Sequence, residues 1–413
     1  MPITRRVFLK GGALAVVGTA AVPAFLRRAV FASELPATGK RRMVVIFQRG
    51  AADGLNIVVP HAEPSYYAMR PTIAIPRQQV IDLDGFFGLH PAMASFKQVW
   101  EQGHLAIVHA AGSPDPTRSH FDAQDYMESG TPGLKATEDG WLNRAVKDTP
   151  PSGHDSAFRA IALGTSLPRM LAGSAPAVAV SNVNDFGVGG RNPQAQPIAS
   201  TFESMYAESV DAALHGTGKE TFDAVKMLKS ADPSRYTPAP GATYPRGPLG
   251  NALRQVAQLM KADLGVEVAF SDVGGWDHHV NEGSVQGQLA QRAGELAQAM
   301  SAFWIDLGNL AEQTVVVTMS EFGRTARENG NRGTDHGHAN VMFVMGGPVR
   351  GGHVYGRWPG LAPEHLYEGR DLALTTDFRT VLSEIVSKHL GNRKLAEVFP
   401  GFNVPQFLNF MKS

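Results

Sequence analysis

The sequence predicts an α/β fold, a mostly parallel central sheet with helices on both faces. Three observations carry that expectation. Apolar, β-branched runs such as "RMVVIF" and "TVVVTM" are short and unbroken, the pattern of strands buried on both faces. Leu289, Ala293, Leu296, Met300, Phe303, Leu307 and Leu310 recur at alternating steps of four and three, which makes one apolar helix face. Strands that alternate with helices along the chain imply crossovers that cover a parallel sheet.

The chain of 413 residues is 43% hydrophobic, enough for a large core. Lys plus Arg and Asp plus Glu both total 38, so no net field draws nucleic acid, and none is expected as a partner. With no cysteine, disulfides, thiolate metal sites, iron–sulfur clusters and a thiol nucleophile are excluded. Any metal must be held by oxygen and imidazole, for which 14 histidines are present.

Taken in order, residues 1–32 begin with "TRRVFLK", continue with an apolar run from Gly11 to Phe25 and end in the small residues of "AVFAS". This resembles a twin-arginine export signal, with Ala32 the last residue removed. The run is too short and too rich in Gly and Ala for a stable membrane span. The expected partner is the twin-arginine export machinery, and the expected address is periplasmic or extracellular.

Residues 33–413 then read as a single α/β domain. "RMVVIFQRG" and "HLAIVHAAG" are strands, and "SHFDAQDYMESG" starts a helix whose Ser119 and Asp122 have N-cap spacing. From about 130 to 250, Gly, Pro and Ser interrupt short apolar runs, which marks an inserted Gly/Pro-rich cap. "NALRQVAQLMKADLG" reads as a helix, "VEVAFSDVGG" as a strand, and the seven-position apolar face as the next helix. "TVVVTMSEFGR" and "NVMFVMGG" are strands, and "DFRTVLSEIVSKHLG" closes the chain as a helix.

Polar residues follow these strands in order: Asp53, Ser119, Asp277 with His279, and Glu321. Loops at the carboxyl ends of parallel strands share one crevice, so these distant residues can converge. Asp53 in "RGAADGLN" is a cation-facing acid or an Asp-Gly turn. In "GGWDHH" alternate residues can point together, so Asp277 and His279 bind one ion while His278 faces away, or form a structural hydrogen bond. Glu321 and Arg324 in "SEFGR" suit a metal and an anionic oxygen, or a cap and a salt bridge. "TDHGH" adds Asp335, His336 and His338, with Gly337 permitting close packing. Ser119 is an N-cap or a nucleophile activated by a metal, and His120 orients substrate or packs.

"RGAADGLN", "SHFDAQDYMESG", "GGWDHH", "SEFGRT", "TDHGHAN" and "TTDFRTVLSEI" together resemble a twin-arginine-exported bacterial family, domain of unknown function 1501. That family is similar to the alkaline phosphatase and sulfatase superfamily. The resemblance implies an alkaline phosphatase-like sheet and one or two divalent metal ions, zinc, manganese, magnesium or calcium. It also implies Asp53 as a metal ligand, Ser119 as nucleophile, and Asp277 with His279 at a second metal. The superfamily separates that acid and histidine by four positions, whereas here the gap is two. Its "DHG" follows a strand directly, whereas here "SEFG" holds that place, so Glu321 and Asp335 compete for one role. A formylglycine sulfatase is disfavoured, because the modified position in "SPDPTR" would fall on Pro114.

The function expected is therefore an exported metal-dependent hydrolase of a small-molecule or polymeric phosphate or sulfate ester, with Ser119 and Arg324 at the reacting group. The alternatives are a non-catalytic metal- or ligand-binding or surface-assembly protein on the same scaffold, and an exported redox protein.

Overall fold

The computed structural model describes residues 40–135, 137–147, 149, 156, 158–183 and 236–412, with the backbone of Arg6–Lys10 and Ala13–Val17. Ala32 and residues 184–235 of the expected insertion lie outside the described residues.

The labelled strands of the central sheet are β1 (Arg42–Gln48), β2 (Leu105–Gly112), β3 (Ala160–Leu163), β4 (Val178–Val180), β5 (Val268–Val273), β6 (Thr314–Ser320), β7 (Asn340–Gly346), β8 (His353–Tyr355) and β9 (Thr376–Asp377). They lie in the order β8-β2-β7-β6-β1-β5-β3-β4, with β9 beside the end of β2 and the Arg6–Lys10/Ala13–Val17 hairpin continuing from β4. Among the labelled strands only β7 runs against the others. Residues 321–339 link β6 to β7 without a helix, and a parallel pairing needs a long crossover. The start of β7 therefore meets the edge where β1, β2, β5 and β6 end.

The sheet is covered on both faces, as the unbroken apolar runs predict. Along β1, Val44 and Ile46 enter a core with Val256 of α3 (Pro248–Lys261) and Leu296, Met300 and Phe303 of α4 (Gln288–Leu307). Met43, Val45 and Phe47 point the other way, to Trp141 of α2 (Trp141–Lys147) and Phe378, Val381 and Ile385 of α5 (Phe378–Lys388). Truncating a buried ring such as Phe303 to alanine is expected to cost about 3–5 kcal/mol.

Two elements differ from expectation. The helix read through Leu310 ends at Leu307, because Gly308 takes a positive φ of 52° and the chain tightens into a 3-10 turn. Part of the stretch from about 130 to 250 belongs to the sheet itself, since it supplies β3, β4 and the buried Trp141. Glycine and proline there break up short strands, which hides them from periodicity. Among the described residues, no helix is long and apolar enough to cross a membrane.

Candidate metal centre

One edge of the sheet collects the chemistry. β1 leads to Gly50 and Asp53, β5 to Asp277 and His279, and β6 to Glu321 and Arg324. β2 leads through Ser119 to α1, a helix spanning His120–Ser129. The loop before the antiparallel β7 brings Asp335 and His336 to the same edge. Gly50 has φ 115°, and a Cβ there would stand 2.7 Å from the backbone nitrogen of Asp277. A side chain on Gly337 would run into the backbone carbonyl of Arg324, so the two loops touch only because it is glycine.

Three imidazoles turn their Nε2 atoms inward. The Nε2 of His336 lies 3.1 Å from that of His120 and 2.9 Å from that of His279. Asp277 joins them, its carboxylate 3.5 Å from His120, 3.4 Å from His336 and 3.0 Å from His279. Each ring is fixed from behind through Nδ1. His120 Nδ1 is 2.8 Å from Glu321 Oε1, His336 Nδ1 is 2.8 Å from the Arg118 carbonyl, and His279 Nδ1 is 3.1 Å from Asp335 Oδ1. An Nδ1–H donated to each oxygen leaves the Nε2 lone pair facing the centre.

The acids divide by role. Glu321 is fully buried, and its carboxylate also accepts from the Gly50 and Gln124 nitrogens, each at 2.8 Å. Burial pushes its pKa up, but these donors and His120 outweigh that and hold it below its ordinary value. Asp277 is similarly held down against its partial burial, chiefly by Arg324. Asp335 is lowered by Asn329 and His279 despite partial burial. Contact with Glu321 raises His120 above the usual histidine value, whereas burial lowers His336.

Arg324 stands behind the cluster with no exposed side chain. Its Nε donates to the Ala51 carbonyl at 2.7 Å, Nη1 to the Thr334 carbonyl at 3.0 Å, and Nη2 to the Gly50 carbonyl at 2.6 Å and Asp277 Oδ1 at 2.5 Å. It thus ties three loops together and aims Asp277, and its donors are already taken by the protein.

The remaining expected residues sit apart from the four converging side chains. Asp53 is buried and paired with the buried Arg70, whose Nη2 is 3.0 Å from Oδ1. Beside it, burial and the Asp53 charge raise Glu282 well above its ordinary value, while Arg70 keeps Asp53 below its own despite burial. Glu282 is therefore the protonated partner and Asp53 the ion. Ser119 holds the N-cap position of α1 without a side-chain bond to the helix, so the predicted capping contact is absent there. His338 stacks on Tyr367 with ring centroids 4.3 Å apart, and His278 is buried. Sequence reasoning placed His120 at substrate rather than among possible ligands. The signal was its position at the first residue of a helix that follows a strand ending at this edge.

These donors fit a metal ion. Imidazole nitrogens at about 2.0–2.1 Å from a tetrahedral ion stand about 3.3 Å from one another. The ligand atoms of His120, Asp277 and His336 lie within 4.8 Å of one another. His279 adds a fourth donor to two of them.

The family described as "Protein of unknown function (DUF1501)" matches residues 40–391. No curated protein matches the chain. Among solved structures, the PsFucS1 sulfatase from Pseudoalteromonas sp. is similar at 11% identity and a TM-score of 0.35, covering 76% of this chain and 64% of that one. The chain thus spans less than two thirds of that sulfatase. The C-terminal periplasmic domain of EcEptC from Escherichia coli, in complex with Zn, is similar at 8% identity, TM-score 0.34, over 75% of this chain and 73% of that one. A protein in the alkaline phosphatase superfamily from Vibrio parahaemolyticus is similar at 9% identity, TM-score 0.31, over 78% and 67%.

Proposed function

This chain belongs to the DUF1501 family, and from its site we propose an exported metal-dependent hydrolase of a phosphate or sulfate ester. The observation that carries the metal is the facing of three imidazole lone pairs. With every Nδ1–H directed outward, the Nε2 atoms at 2.9 and 3.1 Å repel unless positive charge lies between them. One proton can bridge one such pair, whereas one cation between His120, His336 and Asp277 meets three donors at once, with His279 beside two of them. His120, His279, His336 and Asp277 are the residues assigned to hold it.

Three imidazoles and one carboxylate suit zinc or manganese better than magnesium or calcium, which prefer oxygen. Such an ion, when bound, polarises an ester oxygen and lowers the pKa of an oxygen nucleophile. The chain supplies the rest. Ser119, next to His120, offers a hydroxyl at the start of α1, as attacking group or to orient water. The first-turn N–H groups of α1 have no helical acceptor and favour an anion at that end. Arg324 acts through Asp277, so it positions the acid rather than meeting the substrate. Export rests on the twin-arginine pattern of residues 1–32.

The test is metal analysis of exported protein without a histidine tag, followed by turnover of aryl phosphates and sulfates. Bound metal with turnover that is lost in His336→Ala supports the hydrolase. Bound metal without turnover of either ester favours a binding scaffold. A visible chromophore that changes on reduction favours a redox role.

A further inference from the structure

Asp371 stands in the loop before β9, and its side chain has no exposed surface. Two arginines meet on it: Nη2 of Arg118 donates to Oδ2 at 2.7 Å, and Nε of Arg370 donates to Oδ1 at 2.9 Å. Both arginines also hold His336. The Arg118 carbonyl is the oxygen 2.8 Å from Nδ1 of that ring, and Nη2 of Arg370 donates to the His336 carbonyl. The four residues close a ring, from His336 through Arg118, Asp371 and Arg370 and back, which grips the histidine by its imidazole and by its main chain. Asp371 is fixed in turn, by backbone hydrogen bonds exchanged with Tyr367 at 2.9 and 3.0 Å and by a bridge to Thr325.

We propose that Asp371 is a positioning residue of the metal centre, which sets the rotation of His336 by joining Arg118 to Arg370. This role rests on the metal assignment made above. His336 is the ring whose Nε2 lies close to both of the others, at 3.1 and 2.9 Å, so a small rotation of it changes two spacings at once. It belongs to the loop between β6 and β7, where neither strand sets its rotamer. Hydrogen bonds behind a ligating imidazole supply that hold. Glu368 accepts from Arg118 as well, at 2.7 Å, but its side chain is 53% exposed and solvent competes for the contact.

Two measurements on the full chain test this: zinc affinity by chelator competition, and the nuclear magnetic resonance signal of the His336 Nδ1–H in metal-free protein. Asp371→Asn leaves one acceptor and turns an amide N–H against an arginine. It is expected to weaken zinc binding about ten-fold and to lose the Nδ1–H signal. Arg370→Met opens the ring at a half-exposed corner, so it is expected to fold even if Asp371→Asn does not, and to weaken zinc about five-fold. Glu368→Gln removes a charge beside Arg118 and leaves the ring closed, so its zinc affinity should stay within about two-fold of wild type. Asp306→Asn controls for the loss of a buried carboxylate. Asp306 is equally buried and accepts from Lys261, Tyr244 and the Ala239 nitrogen near the end of α4, at the sheet edge opposite the centre. Its loss should lower stability to urea and leave zinc affinity within about two-fold.

Unchanged zinc affinity in Asp371→Asn, or in Arg370→Met if the first variant does not fold, would overturn the positioning role. A surviving Nδ1–H signal beside weakened zinc would overturn it too, because the ring would then act on something other than His336. An equal loss of affinity in Glu368→Gln would make the charge on Arg118 the cause, and an equal loss in Asp306→Asn would make it general loosening. Wild type that takes up no zinc would overturn the metal assignment, and this role with it.

Discussion

The Nδ1 of His120 lies 2.8 Å from Oε1 of the fully buried Glu321, and that contact turns the Nε2 of the ring towards His336. Carboxylates in this position fix the tautomer of a ligating imidazole and raise its basicity. Glu321→Gln keeps the acceptor but loses the charge, and is expected to weaken metal affinity about ten-fold. Glu321→Ala is expected to weaken it about a hundred-fold, measured by competition with a chromophoric chelator. Equal affinity in both variants and wild type would remove Glu321 from the site.

Arg324→Lys keeps a charge but cannot serve the carbonyls of Gly50, Ala51 and Thr334 and the Asp277 carboxylate at once. Urea unfolding is expected to show a loss of about 3 kcal/mol or more. Metal affinity should fall as well, since Asp277 loses the contact that aims it and holds its pKa down.

Asp53 and Glu282 make opposite predictions from one buried cluster. Glu282 is held protonated, and its Oε2 accepts from Thr334 at 2.9 Å, so Glu282→Gln preserves both charge and shape. Its unfolding free energy should stay within about 1 kcal/mol of wild type. Asp53→Asn strands the buried Arg70 and should cost about 3–5 kcal/mol. Similar losses in the two variants would show that Glu282 is ionised.

Acid should weaken the fold through its buried neutral histidines. His109 is pushed down to about 4 by burial, and its Nε2 meets the Val58 carbonyl while Nδ1 accepts from the Ala110 nitrogen. Unfolded, the ring titrates near about 6.5, so between these values the unfolded chain binds the extra proton. The stabilisation is complete above about pH 6.5 and is lost as pH falls towards about 4, roughly 3 kcal/mol for this one group. Urea unfolding of wild type and His109→Gln across pH 7 to 4 checks it, the variant having the shallower slope.

Much of this architecture is legible in the sequence because strands buried on both faces must be apolar throughout. β1, β2, β5, β6 and β7 are all read from such runs, and the gathering of Asp277, His279 and Glu321 follows from parallel strands ending together. Strand direction is not legible, since a period of two is the same in either sense. The "TDHGH" loop reaches the edge by preceding an antiparallel strand, which explains why both it and "SEFGR" have a place there: Glu321 backs His120, and Asp335 backs His279. The pairing of Asp53 with Arg70 is also hidden, because a loop arginine shows its partner only once the chain is folded. Short strands β3 and β4 are masked by the glycines and prolines around them.

The central claim is that three imidazoles and Asp277 hold one metal ion, and metal analysis tests it most directly. Tag-free wild-type protein, loaded with zinc or manganese and then dialysed, is expected to retain about one equivalent per chain, with His336→Ala retaining less than about a tenth of that. Because His338 stacks on Tyr367 instead of joining the cluster, His338→Ala is expected to retain the ion. Equal metal content in wild type and His336→Ala, or none in wild type after loading, would contradict the account.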